Sequence, residues 1–200
     1  MSNRSADSLR DQVLKTARKL FMERGYEAVG MREIANAVGR QPVQVYRLNL
    51  SKADLLGEVI IELNREQIRQ LPKICKRIKA PDLFERVCAY LLELYKLDIH
   101  YMPIRSVGAA HGWMWSSDYE SRVIEQVHQI INPVVDWMSK AGLDDIPARC
   151  LGIWSLYYVG YRHAVLQGGT AEACLEGIKP SLRYYLKLPD QNTSPSGDLF

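Results

Sequence analysis

Two hundred residues, 47% hydrophobic and 24% charged, make an ordinary globular chain long enough to bury one or two cores, which argues against a disordered protein. No run approaches the roughly 18 apolar residues of a membrane span, and the opening MSNRSADSLRDQ lacks the apolar core of a secretory signal. Net charge is only +3, but residues 1–52 carry ten Lys or Arg against five acids. That basic head suits a polyanion, or is simply a solvated face.

In chain order nearly every segment reads as helix. Leu9, Val13, Ala17, Leu20 and Phe21 recur at spacings of three and four, with Ser8 and Asp11 as a capping pair and Gly25 as a stop. A short helix is expected from Met31 to Val38, ended by Gly39, and a third from Pro42 to about Leu48. Ser51 and Asp54 cap a long fourth helix that should fade near Leu71-Pro72, with a basic solvated turn or linker from Lys73 to Lys79. Five more segments follow: Asp82 to about Leu97, a broken one over Tyr101–Trp115, one opened by Ser117 and Glu120 and bent at Pro133, one from Pro147 to Leu166 capped by Asp144 or Asp145, and a last one capped by Thr170 and split or kinked at Pro180. No strand pattern or repeat stands out, so the fold class is all-α with about nine helices. Residues 188–200 read as a disordered tail.

Two short helices around a glycine turn, backed by a preceding helix, are the parts of a helix-turn-helix, whose second helix lies in a DNA major groove. On that helix Val45 faces inward, while Gln41, Gln44 and Arg47 share one outward side. Gln can pair with adenine, and Arg with guanine or phosphate. Tyr46 and Lys52 suit phosphate contacts, and Arg32 and Pro42 complete the expected DNA-binding set. A generic helical hairpin with solvated polar residues would show the same periodicity.

Ala17, Leu20-Phe21, Gly25-Tyr26, Ile34-Ala35, Gly39, Tyr46, Ser51-Lys52 and Leu55 stand in register over about 45 residues. In these marks the sequence resembles the N-terminal domain of the TetR/AcrR family of transcriptional regulators. The resemblance implies a helix-turn-helix DNA-binding domain at 1–52 and a helical-bundle effector-binding and dimerisation domain at 53–187. It also implies a homodimer on a pseudo-palindromic operator, and a repressor released by a small, largely apolar effector. A family member controlled by a protein partner, or serving an architectural role on DNA, is the alternative.

Three departures from the family pattern stand out. Gly30 replaces a capping hydroxyl residue, Arg40-Gln41 replaces Val-Ser in the turn, and Leu48-Asn49 replaces the His-Phe that usually follows the tyrosine. Burying Asn49 unsatisfied would cost about 1–3 kcal/mol. Leu48 or Leu50 is therefore expected to fill the apolar gap, with Asn49 turned outward and Arg47 supplying the missing phosphate contact.

The resemblance also implies a dimer built from residues 147–166 and 171–186, through Leu151, Trp154, Tyr161, Leu175, Leu182 and Tyr185. For the aromatics of these helices the alternative is packing inside their own domain. The effector pocket implied by the family would draw on Tyr95, His111, Trp113, Trp115, Trp137 and Tyr158, although aromatics at helical spacing are more often plain core. No phosphate loop, nucleophile elbow or HExxH is present, and His100, His111, His128 and His163 have no carboxylate or cysteine at ligand spacing. Neither an enzyme, a cofactor nor a metal site is expected. Cys75, Cys88, Cys150 and Cys174 form no CxxC pair and read as reduced thiols, which suits the cytoplasm.

Overall fold

The computed structural model describes residues 2–112 and 115–187, with side chains from residue 9 onward except at 117. Among these residues the chain is all-α, with nine helices and no strand. They are α1 (Ser2–Arg24), α2 (Met31–Ala37), α3 (Pro42–Tyr46), α4 (Lys52–Arg77), α5 (Leu83–His100), α6 (Met102–His111), α7 (Ser117–Lys140), α8 (Ile146–Gln167) and α9 (Ala171–Leu186). No helix among them is long and apolar enough to cross a membrane. The tail expected to be disordered lies outside the described residues.

Several ends follow the expected chemistry. Ser51 and Asp54 cap α4 reciprocally, Asp54 N–H donating to Ser51 Oγ at 3.1 Å and Ser51 N–H to Asp54 Oδ2 at 2.8 Å. Asp82 accepts from the Glu85 N–H at 3.0 Å before α5, and Thr170 from the Ala173 N–H at 3.2 Å before α9. Others differ. Asp145 precedes α8 in a left-handed conformation with no side-chain cap, and neighbouring Asp144 instead accepts from Arg149 at 2.6 Å. Helix α4 does not fade at Pro72 but continues to Arg77, and α9 continues through Pro180. Proline removes one ladder bond; buried Leu71 and Ile74 flank Pro72, and buried Ile178 and Leu182 flank Pro180, so packing on both sides holds each helix through its gap.

The chain divides into two compact units, Met1–Lys73 with Lys96–Ile130, and Ile74–Tyr95 with Ile131–Phe200. In the first, Val13, Ala17 and Phe21 of α1 meet Ile34, Ala35 and Val45, and Leu55, Leu56, Val59, Ile60, Leu63 and Ile104 complete one core. Residues 1–52 thus share their core with α4 and α6. Two arginine clamps bind α1 to α4. Arg10 reaches Glu58 at 2.9 Å, and Arg18 holds Glu66 by two bonds of 2.6 and 2.9 Å. Both span 48 residues, so α1 and α4 run parallel, with the clamps about 12 Å apart along the axis. A buried polar network lies in the same unit. Arg105 bonds Asn64 and, at 3.2 Å, Gln67, while Asn64 donates to Gln126 at 2.9 Å.

The second unit packs α5, α8 and α9 around Tyr90, Leu91, Leu94, Tyr95, Ile153, Tyr157, Ile178 and Leu182. Tyr95 stacks on Tyr157 at 4.3 Å and donates its hydroxyl to the Tyr157 carbonyl at 2.9 Å. Gly160 allows this closeness, because a Cβ there would collide with the Tyr95 hydroxyl, and it would also come within 2.9 Å of the Cys174 carbonyl oxygen.

Candidate nucleic-acid interface

Five residues are too few to sustain a helix alone, so α3 must be positioned by its neighbours. Gly25 ends α1 with φ +80°, its N–H bonding the Phe21 carbonyl at 3.0 Å. Helix α2 opens at Gly30, in extended backbone and with no side-chain cap, as its lack of a hydroxyl implies. At the other end Gly39 takes φ +71°. Its N–H bonds Asn36 O and the Arg40 N–H bonds Ala35 O, both at 3.0 Å, closing a tight glycine turn. Pro42 then starts α3 where no N–H is needed. Gln41 donates its backbone N–H to Gln44 Oε1 at 3.1 Å, which ties the first turn.

Val45 is the one buried residue of α3, at 1% exposure. Leu48 and Leu50 pack against the core, and Asn49 is exposed with φ +53°, a left-handed conformation that asparagine tolerates. The absent His-Phe pair is therefore accommodated by two leucines and an outward asparagine. Helix α3 consequently presents Val43, Gln44, Tyr46 and Arg47 to solvent, Val43 and Tyr46 each 51% exposed. Gln41 and Arg32 are exposed as well, and Pro42 is half-buried at the start of the helix. Val43 is absent from the sequence-based set. Its outward isopropyl group can meet a thymine methyl, and only its neighbour Val45 being the inward residue signals this.

The basic excess sorts itself by pairing. Arg10, Arg18, Lys19 and Arg24 are paired with Glu58, Glu66, Glu23 and Glu33. Arg18 holds the Glu66 carboxyl below the usual carboxylate range through its hydrogen bonds. Among the described residues up to 52, the bases left without an ion pair are Lys15, Arg32, Arg40, Arg47 and Lys52. Four of these lie in α2, in the turn, directly after α3 and at the start of α4. Lys52 lies with Nζ 4.1 Å from the centre of the Tyr26 ring, whose phenol burial pushes above its ordinary range.

The residues expected to line an effector pocket fall in different places. His111 and Trp115 belong to the first unit. His111 meets the Tyr26 ring edge-on at 5.3 Å, and Trp115 packs against the core with its indole N–H buried and unpartnered among the described residues. In the second unit Tyr95 is fully buried, and Trp137 lies edge-on to Tyr90 and lines an open groove of about 340 Å³ with Cys75, Pro81 and Arg86. Tyr158 is 48% exposed beside Trp154. Trp113 lies outside the described residues. Burial pushes the Cys88 thiol up to about 11, consistent with an inert packed cysteine.

Of the side chains expected at a dimer interface, Leu151 is exposed, whereas Tyr161, Leu175 and Leu182 are buried within the second unit. Trp154 and Tyr185 are half-buried, the latter against Gly152. The exposed apolar residues of α8 form another stripe, Leu151, Tyr158, Val159, Val165 and Leu166, and Tyr184 of α9 is exposed too.

Residues 13–59 match the model of a family described as bacterial regulatory proteins, tetR family. No curated protein matches the sequence. Among solved structures, a putative TetR-family transcriptional regulator from Mesorhizobium loti is 15% identical with a TM-score of 0.64, over 90% of this chain and 96% of that one. A TetR/AcrR-family regulator from Thermobifida fusca is 22% identical with a TM-score of 0.62, over 90% and 97%. PfmR, a TetR-family regulator from Thermus thermophilus, is 16% identical with a TM-score of 0.60, over 92% and 98%. These likenesses extend the shared fold over nearly the whole chain.

Proposed function

Residues 13–59 match the tetR-family model, and we propose that the chain is a DNA-binding transcriptional regulator of the TetR/AcrR family, a cytoplasmic, homodimeric repressor that leaves a pseudo-palindromic operator when a small, largely apolar effector binds. The observation that carries DNA contact is the sorting of charge. Carboxylates take up most of the bases on α1, while Arg32, Arg40, Arg47 and Lys52 stay unpaired around the exposed Gln44 and Tyr46. Arg47 and Lys52 serve phosphates, with Arg47 in the role usually held by histidine, and Gln44 reads a base edge. Gln44 Oε1 accepts from the Gln41 N–H, so its amide NH2 group is the freer end for readout.

A single α3 offers few base contacts, and pairing two of them across a dimer supplies specificity. The α8 stripe of Leu151, Tyr158, Val159, Val165 and Leu166 supports self-association. The Trp115 N–H, buried and without a partner among the described residues, supports an effector that carries a hydrogen-bond acceptor on an otherwise apolar frame. Release is a population shift, in which the effector favours the state whose paired α3 helices no longer match the half-sites.

Selection from random duplexes by the full chain tests this. The expected product is a pseudo-palindrome with half-sites about 10 base pairs apart, or a multiple of that. No enrichment over the starting pool would refute the proposal.

A further inference from the structure

Tyr26 sits in the loop between α1 and α2, where no helical ladder fixes it, yet its side chain is 7% exposed. Its ring is held by what packs around it. Phe21 of α1 lies edge-on at 5.2 Å, His111 at the C-terminal end of α6 lies edge-on at 5.3 Å, and the Lys52 ammonium rests 4.1 Å from the ring centre. Helix α6 comes close because Gly108, one turn before His111, has no side chain. A Cβ there would fall 2.7 Å from the Ile60 Cδ1 of α4.

Resting on the DNA-binding reading above, we propose that His111 is a positioning residue for the phosphate contact of Lys52, acting through the Tyr26 ring. Lysine carries its charge on a flexible four-carbon stem, and a cation settles over an aromatic face because the ring quadrupole attracts it. The ring therefore selects the Lys52 conformers available to DNA, and the ring itself is kept in place by Phe21 from one helix and His111 from another. Phe21 is deep in the core and belongs to the same helix end as Tyr26, so His111 is the flank supplied by a distant part of the sequence. Without the imidazole, Tyr26 loses one wall, and Lys52 samples conformers that do not face phosphate.

The test uses the full chain and a 30-base-pair duplex recovered by selection with the unaltered protein, its affinity followed by fluorescence anisotropy from low to moderate salt. K52Q should lower the slope of log affinity against log salt by about 0.9, the loss of one phosphate contact. H111A should weaken binding about three- to fivefold, a cation–π-sized effect, and H111F, which restores a ring, should recover most of it. In the K52Q background H111A should add nothing. Two results would overturn the proposal: H111A binding as the unaltered chain does, or H111A costing the same factor with and without Lys52. An unaltered chain that selects no duplex overturns the DNA-binding reading and this proposal together, whereas normal selection with an inert H111A overturns the proposal alone.

Discussion

Replacing Val45 with alanine removes the side chain by which α3 is anchored. Val45 is 1% exposed and is the one buried residue of that helix, flanked only by half-buried Pro42, Leu48 and Leu50. Two methyl groups lost from the core forfeit about 1.6 kcal/mol of transfer free energy, and the cavity adds up to about 1 kcal/mol more. For a chain of this size that corresponds to a midpoint lowered by about 3–10 °C if it is felt globally. Part of it should instead appear as local release of α3, because five residues do not hold a helix without that contact. Circular dichroism melting reads the first component. Hydrogen exchange at the amides of Arg47, Leu48 and Asn49, which bond the Val43, Val45 and Tyr46 carbonyls, reads the second. A Val45→Ala chain with an unchanged midpoint and unchanged exchange at these amides would refute the anchoring argument.

Glu66→Gln breaks the two-bond Arg18 clamp and should cost about 1–2 kcal/mol at neutral pH by thermal melting. Because the folded carboxyl lies below its ordinary value of 4.5, that stability is fully present above this value and disappears as pH falls through the lower one, so the gap between Glu66→Gln and the unaltered chain should close in acid. Gly39→Ala should destabilise by about 1–2 kcal/mol in urea titration. Nothing lies within 4 Å of a Cβ there, so the whole cost comes from φ +71°, and a neutral substitution would contradict the turn geometry. Leu151→Glu with Leu166→Glu should turn a dimer into a monomer in sedimentation velocity without lowering helix content; an unchanged mass would remove the α8 stripe from the interface.

The helix-turn-helix was legible because its signals are local. Gly25, Gly39, Pro42 and the Ser51–Asp54 cap act within a few residues of themselves, and each does in the structure what its chemistry suggests. The outward turn of Asn49 followed from the cost of burying an amide, and the structure bears it out. Long-range pairing was invisible. Nothing in the spacing of Arg10 and Arg18 announces Glu58 and Glu66, so the basic head looked broader than the unpaired patch that remains. Helices α4 and α9 run past their prolines because packing around Leu71, Ile74, Ile178 and Leu182 outweighs one lost hydrogen bond, a balance no local rule contains. Which face of α8 and α9 their own unit buries was not legible, for a related reason. Tyr161, Leu175 and Leu182 are as apolar as an interface needs, and periodicity alone does not say which of two apolar stripes its own unit will bury.

The most direct measurement is the affinity of a Gln44→Ala/Arg47→Ala chain for the selected duplex, beside a scrambled duplex, in a mobility-shift assay. Both side chains are exposed and the only bond given up is the one Gln44 accepts from the Gln41 N–H, so the double variant should keep its helix content with a midpoint lowered by no more than about 2–4 °C. Losing one base-reading contact and one contact to guanine or phosphate should weaken specific binding by at least ~30-fold, with the remaining affinity no longer distinguishing the two duplexes. An unchanged preference for the selected duplex would contradict DNA recognition through α3.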